Sequence, residues 1–122
     1  MRVYGSWGTS EGNGYKTFSV GSSDIRYKKN ISNSTVNALN IIMSIKHKSF
    51  DWIDGKHVDL GYIAQELEKI NPSLVYAPDK EDDNGMYTVN TFYLEGVITK
   101  ALQEQQLIIE ELKNKIAKLE NK

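Results

Sequence analysis

The chain contains no cysteine. Disulfides, thiolate nucleophiles and sulfur-ligated metals are excluded together, and the redox compartment is left open. It has no apolar run near the ~20 residues that span a bilayer, and its first residues lack the apolar segment of a signal peptide. An excess of one charge is missing too: 15 Lys and Arg against 16 Asp and Glu give a net charge of −1. No general attraction to nucleic acid or to an anionic membrane is therefore expected. Glycine-rich phosphate loops of the G-x-x-x-x-G-K-[ST] type and H-x-x-x-H pairs are absent. His47 and His57 lie near Asp51, Asp54 and Asp59 but without a matching third ligand, and Asp79, Glu81, Asp82 and Asp83 lack the spacing of a calcium loop. Neither a metal nor a cofactor is expected. With 122 residues, the chain holds one small domain plus an appendage, and a core this thin is commonly stabilised by oligomerisation.

What is present falls into three stretches. Residues 1–22 scatter Tyr4, Trp7, Tyr15, Phe18 and Val20 among five glycines. Asn13-Gly14 is a two-residue hairpin signal, and Lys16 to Val20 alternates with period two. This reads as the end of a larger β-structured protein, with a flexible N-terminal arm as the alternative.

Residues 23–90 read as a small α+β globular unit. Val36, Leu39, Ile42 and Met43 predict a helix over 34–44 with Asn33 or Ser34 as N-cap. Runs over 48–53 and 56–63, joined at Asp54-Gly55, predict a hairpin. Residues 64–70 predict a helix that Asn71-Pro72 stops. Residues 73–76 and 86–90 read as strands around a solvated acidic loop at 78–85.

From Thr91 the chain reads as one helix to the end of 91–122. Ile98, Leu102, Gln105, Ile109, Leu112, Ile116 and Leu119 advance by fours and threes, a heptad seam with Leu102, Ile109 and Ile116 at a. Isoleucine at a with leucine at d favours a parallel dimer by itself, but Leu94, Ala101 and Ile108 widen that face at g, which suits three chains or a helix also packed on its own globular part. Gln105 in the seam costs stability and can fix register. The fold class expected is therefore α+β, with short helices and antiparallel strands followed by a long C-terminal helix forming a trimeric coiled coil.

The polar run from Ser22 to Ile31 separates the glycine-rich front from everything that can form a core. It carries a nucleophile and a base, Ser23 and Lys28. A serine hydroxyl needs a neighbouring base, and a lysine that loses its proton on desolvation can be one. Five residues apart, the two cannot share a helical face, so they must meet across a turn or from different chains.

Ser23-Asp24-Ile25-Arg26-Tyr27-Lys28-Lys29-Asn30-Ile31 resembles the S-D-x-R-x-K-x-N-I opening of the self-cleaving C-terminal intramolecular chaperone domains of phage tailspikes, tail fibres, neck appendages and endosialidases. Gly61-Tyr62-Ile63-Ala64-Gln65-Glu66-Leu67 with Pro72-Ser73-Leu74-Val75 resembles that family's second motif, and the terminal coiled coil its third. The resemblance covers 23–122. It implies a homotrimer that aligns three chains, lets an upstream spike or fibre domain fold as client, and then cuts itself off as a single-turnover serine autopeptidase. Ser23 becomes the cleavage-site serine and Lys28 its partner, while Asp24, Arg26, Asn30, Gln65 and Glu66 support the motif. The cut is expected at Ser23–Asp24, less so at Ser22–Ser23. Attack of the Ser23 hydroxyl on its own carbonyl would need a four-membered ring, whereas attack on the Ser22 carbonyl makes a five-membered one. The implied setting is the host cytoplasm during phage assembly, with the upstream part carried in the virion tail. The alternative is a non-cleaving trimerisation or receptor-binding tip of a phage fibre.

Overall fold

The computed structural model describes residues 22–80 and 85–122. The expected strands within 1–22, and part of the acidic loop, lie outside the described residues. The chain divides into two units, Met1–Thr35 and Val36–Lys122. Of the first, the described part is an exposed segment with a single 3-10 turn at Ile25–Tyr27. Asn30 there adopts φ 54, a left-handed conformation that asparagine tolerates better than most residues.

The second unit orders its elements as helix α1 (Ala38–Ser44), strands β1 (Lys48–Asp51) and β2 (His57–Gly61), helix α2 (Ala64–Ile70), a 3-10 turn (Pro72–Leu74), strands β3 (Val75–Tyr76) and β4 (Thr88–Val89), and helix α3 (Thr91–Glu120). The α+β class with a long terminal helix is as the sequence predicts. Each sheet has two antiparallel strands, β1 with β2 and β3 with β4.

Helix α1 begins at Ala38 with Asn37 as cap, four residues later than the first position predicted. The Asn37 side chain accepts from the Asn40 amide, and its carbonyl takes the Ile41 amide. An acceptor from distant sequence fixes the rest of this start, as described below.

The hairpin loop also differs from expectation. Trp52 accepts from the Gly55 amide at 2.8 Å and donates its own amide to Lys56 at 2.7 Å. Three residues, 53–55, therefore form the loop instead of two. Gly55 closes it at φ +105, which glycine adopts without a Cβ penalty. At the far end of β2, a Cβ on Gly61 would lie 2.9 Å from Phe50 Cε2, so the absence of a side chain there lets β1 and β2 meet at an irregular register.

Helix α2 ends where Asn71 turns extended before Pro72, as proline requires of its predecessor. The predicted strand at 73–76 is shorter, because the Asn71 side chain accepts from the Ser73 amide and winds 72–74 into the 3-10 turn. Strand β4 is likewise only two residues long; Asn90 donates to the Leu74 carbonyl in the same register and then caps α3 by accepting from the Tyr93 amide.

Leu67, Leu74, Val75 and Leu94 form one buried cluster; Ala38, Val97 and Ala101 form a second, where α1 lies on α3. The first turns of α3 therefore belong to the core. Leu94 and Ala101, read in sequence as widening the heptad face, turn inward to it. Ile98 and Leu102 face solvent on the same turns, so α3 carries its intrachain contacts and its seam on different faces. Among the described residues, no helix is long and apolar enough to cross a membrane.

Candidate functional site

The Ser22–Lys28 stretch is built around Asp24. Its side chain accepts from the Arg26 amide at 2.8 Å, and its carbonyl accepts from the Tyr27 amide at 3.1 Å. These bonds wind Ile25–Tyr27 into the 3-10 turn, and the Lys28 amide closes it by donating to the Ile25 carbonyl. One turn of this kind carries the chain back on itself. Lys28 Nζ thereby donates to Ser23 Oγ within the same chain. The two candidate residues meet across a turn, which is one of the two routes their spacing allows.

Arg26 grips Asp24 from the side. Its Nε lies 3.2 Å from Oδ1 and 3.1 Å from Oδ2, and its Nη2 lies 2.8 Å from Oδ2. The guanidinium and amide hydrogen bonds of Arg26, with a smaller contribution from the charge on Lys28, hold the Asp24 carboxyl below its ordinary range. The same contact raises Arg26. The Arg26 guanidinium also sits 5.9 Å from the centroid of the Tyr27 ring. Ser22, Ser23, Asp24, Tyr27 and Lys28 line a cleft of about 400 Å³. All of these residues are exposed, so water reaches the serine.

The other motif residues lie apart from this turn in sequence and element. Asn30 is the left-handed residue of the segment. Gln65 and Glu66 stand in the first turn of α2, both exposed, with Glu66 Oε1 3.7 Å from Lys48 Nζ. Their sequence signal reports a helix start on the second unit. The seam residues Ile98, Leu102, Gln105, Ile109, Leu112, Ile116 and Leu119 are all exposed along α3.

His47 and His57 are not brought together as ligands. His47 stacks at 5.3 Å on Tyr62. His57 Nδ1 lies 2.6 Å from Asp51 Oδ1, and its Nε2 lies 3.4 Å from Ser49 Oγ. Among the described residues, no three metal-ligating side chains cluster.

A polar clamp that sequence reasoning missed joins α3 to the start of α1. Glu104 accepts from the Ala38 amide at 3.1 Å and the Leu39 amide at 2.8 Å. Lys100 Nζ lies 2.7 Å from Glu104 and donates to the Val36 carbonyl at 2.6 Å. The Lys100 hydrogen bond, followed by that from Leu39, brings the Glu104 carboxyl down to about 2. Its only sequence signal is a Lys–Glu pair at i, i+4, too common to predict a partner in a distant segment.

The family model described as chaperone of endosialidase, a peptidase family, matches residues 23–76. No curated protein and no solved structure matches the chain.

Proposed function

We propose that this chain, whose residues 23–76 match the chaperone-of-endosialidase family model, is an intramolecular chaperone domain of a phage tail protein that trimerises through α3, assists the folding of an upstream β-structured spike or fibre, and releases itself by cutting at Ser23. The observation that carries the cutting is the Lys28–Ser23 hydrogen bond inside one chain. It is a nucleophile and base within reach of each other, beside an open cleft on the segment where the family match begins. The matched peptidase family supports the same reaction class.

Assembly is supported by the seam. Ile109, Leu112, Ile116 and Leu119 are large apolar side chains about half exposed on one helix, and burying the remainder between copies is favourable by about 1 kcal/mol each. Ile109 and Ile116 at a with Leu112 and Leu119 at d suit two strands by themselves, and Ile108, exposed at g beside them, widens the face toward three. Aligning three chains before slow, non-local β pairing limits exposed strand edges and raises local concentration. Cleavage then makes the product kinetically stable, because the spike is severed from its nucleator. The domain limits proposed are residues 1–22 as the end of the client, 23–90 as the globular unit, to which the first turns of α3 add Leu94, Val97 and Ala101, and 91–122 as the helix whose later turns form the coiled coil. The setting is the bacterial cytoplasm during assembly, with the client retained in the virion tail.

The bond cut is Ser23–Asp24. Water adds to the Ser23 carbonyl, the C–N bond breaks, and the Asp24 nitrogen leaves as an amine with the transferred proton. The Ser23 hydroxyl and Lys28 orient and deprotonate that water, since the hydroxyl cannot reach its own carbonyl. A second reading places the cut at Ser22–Ser23. The same-chain pairing favours it, because Lys28 can take the hydroxyl proton as Ser23 Oγ attacks the Ser22 carbonyl through a five-membered ring; the Ser22–Ser23 C–N bond then breaks, the Ser23 nitrogen takes up that proton and leaves as an amine, and water hydrolyses the ester that joins Ser22 to Ser23 Oγ. N-terminal sequencing of the C-terminal fragment from the full-length parent decides: Asp24 supports the first, Ser23 the second. Ser23→Ala and Lys28→Ala are expected to leave the precursor uncut on a denaturing gel while permitting trimers. Normal cutting in both would sink the dyad.

A further inference from the structure

Resting on the reading of Lys28 as base, we infer that Arg26 is a positioning residue that occupies the Asp24 carboxylate and cancels its charge, so that the lysine bonds Ser23 and can give up its proton. Asp24 is adjacent in sequence to Ser23 and lies in the field of Lys28, whose charge is among the causes that lower it. An interaction between two charges is mutual, so an unpaired carboxylate at this position would stabilise the Lys28 ammonium. It would also offer Lys28 a stronger hydrogen-bond acceptor than a hydroxyl. A base needs the opposite environment.

The geometry shows how the conflict is avoided. Arg26 contacts both Asp24 oxygens through Nε, reaches Oδ2 a second time through Nη2 at 2.8 Å, and occupies Oδ1 again through its own amide. The acceptor capacity of the carboxylate is thus taken up by one residue. A planar guanidinium matches a carboxylate in this two-point manner and an ammonium does not, which explains why the sequence places arginine at 26 and lysine at 28. With Asp24 and Arg26 paired, Lys28 meets a neutral ion pair. The other charged or titratable groups of the described segment are Tyr27 and Lys29; Lys29 is cationic and works in the same direction as Arg26.

The pairing also explains why Asp24 and Arg26 occur together. Asp24 is needed to cap the 3-10 turn that brings Lys28 to Ser23, and that need introduces a negative charge beside the base. Arg26 removes the side effect while leaving the cap in place.

The test compares Arg26→Gln with the double variant Asp24→Asn, Arg26→Gln in the full chain with its upstream domain. Asparagine keeps a capping oxygen but carries no charge. Arg26→Gln is expected to move the pH dependence of cutting to more alkaline values by about half a pH unit, the size of one exposed charge a few ångströms away, slowing the cut roughly threefold at neutral pH. The double variant is expected to bring the pH dependence back toward that of the wild type and to cut faster at neutral pH than Arg26→Gln. A double variant slower than Arg26→Gln would mean that the residues serve only to shape the turn, and the proposal fails. A readout that needs no cleavage separates this failure from that of the function itself. In Ser23→Ala protein reductively methylated with 13C, the Lys28 methyl resonance, assigned by its loss in Lys28→Arg, is titrated by NMR. An upward shift in Arg26→Gln that the double variant reverses supports the proposal even if no fragment forms. An unmoved Lys28 titration overturns it even if the chain cuts itself.

Discussion

Glu104, on the fourth turn of α3, accepts the backbone amide of Leu39 at 2.8 Å and that of Ala38 at 3.1 Å. The first amides of a helix have no intrahelical acceptor. Here Glu104 takes two of them and the Asn37 side chain takes the Asn40 amide, while Lys100 secures the Val36 carbonyl just outside. A seven-residue helix is too short to hold itself in water. Helix α1 is therefore held by α3, both through this clamp and through the packing of Ala38 on Val97 and Ala101. The clamp sits at Val36, where the second unit begins.

Removing the Glu104 carboxylate should loosen α1 selectively. Glu104→Ala strands two amides and leaves Lys100 without its anion, whereas Glu104→Gln retains one acceptor oxygen. Thermal unfolding followed by circular dichroism is expected to give the order wild type, Gln, Ala in falling Tm. Hydrogen exchange should show amides 38–41 losing protection before those of α2. Equal protection in both segments would argue that packing alone holds α1.

The same carboxylate sets a pH dependence. Folding lowers it from its ordinary 4.5 to about 2, so the folded state binds its proton less readily than the unfolded one. The contribution is fully present above pH 4.5, and it is lost progressively as pH falls through 4.5 toward 2. The difference in Tm between wild type and Glu104→Gln should be constant from pH 7 to about 5 and shrink below that. A gap that persists to pH 2.5 would place the stabilisation elsewhere.

The sequence made α2 legible because its stop signal is local: Asn71-Pro72 ends the helix whatever surrounds it. It made α3 legible because a seam of seven positions repeats one period. The start of α1 was not legible in this way. Its donors are capped by a residue 65 positions away, and propensity alone moved the boundary to Asn33 or Ser34. The strand predicted at 73–76 is reduced to Val75–Tyr76 for a related reason, since Asn71 competes locally for the Ser73 amide. At the candidate site, residue types indicated Ser23 and Lys28, and their spacing indicated a turn between them. What spacing could not supply was the cause of the turn, the Asp24 carboxylate shared between the Arg26 backbone and side chain.

Gly61 offers a test of the hairpin. A methyl group there would meet Phe50 Cε2 at 2.9 Å and Val58 Cγ1 at 3.2 Å. Gly61→Ala should destabilise by about 1–3 kcal/mol, the usual cost of overpacking. The Phe50 ring, which is in edge contact with Trp52, has to turn aside. Adding Phe50→Leu should recover part of the loss in a urea melt. An additive double variant would show that the strain lies in the backbone.

In the core, Leu74 is fully buried between α2, α3 and the β3–β4 pair. Its backbone also accepts from the Asn90 amide at 2.8 Å. Leu74→Ala should cost about 2–5 kcal/mol, measured by chemical denaturation. Leu119→Ala, at an exposed position near the end of α3, should cost far less at concentrations where the chain is monomeric. A similar loss at both positions would contradict the placement of the core.

Beyond Ala101 the side chains of α3 are almost all exposed within one chain, with the clamp residue Glu104 the exception. The stretch from Gln105 to Glu120 is a helix without intrachain packing to support it, and an isolated helix of about this length is marginal in water. Its helicity should therefore depend on assembly. Leu112→Asp places a charge in the middle of the seam, where burial without a partner is costly. Sedimentation equilibrium is expected to show a trimer for wild type and a monomer for the variant at micromolar concentration. Far-UV circular dichroism of the variant should fall by roughly the last four turns, while amides in α2 and in residues 91–104 keep their protection. A variant that remains trimeric would move the interface off the seam, and one that becomes monomeric with full helicity would show that the terminal helix needs no partner.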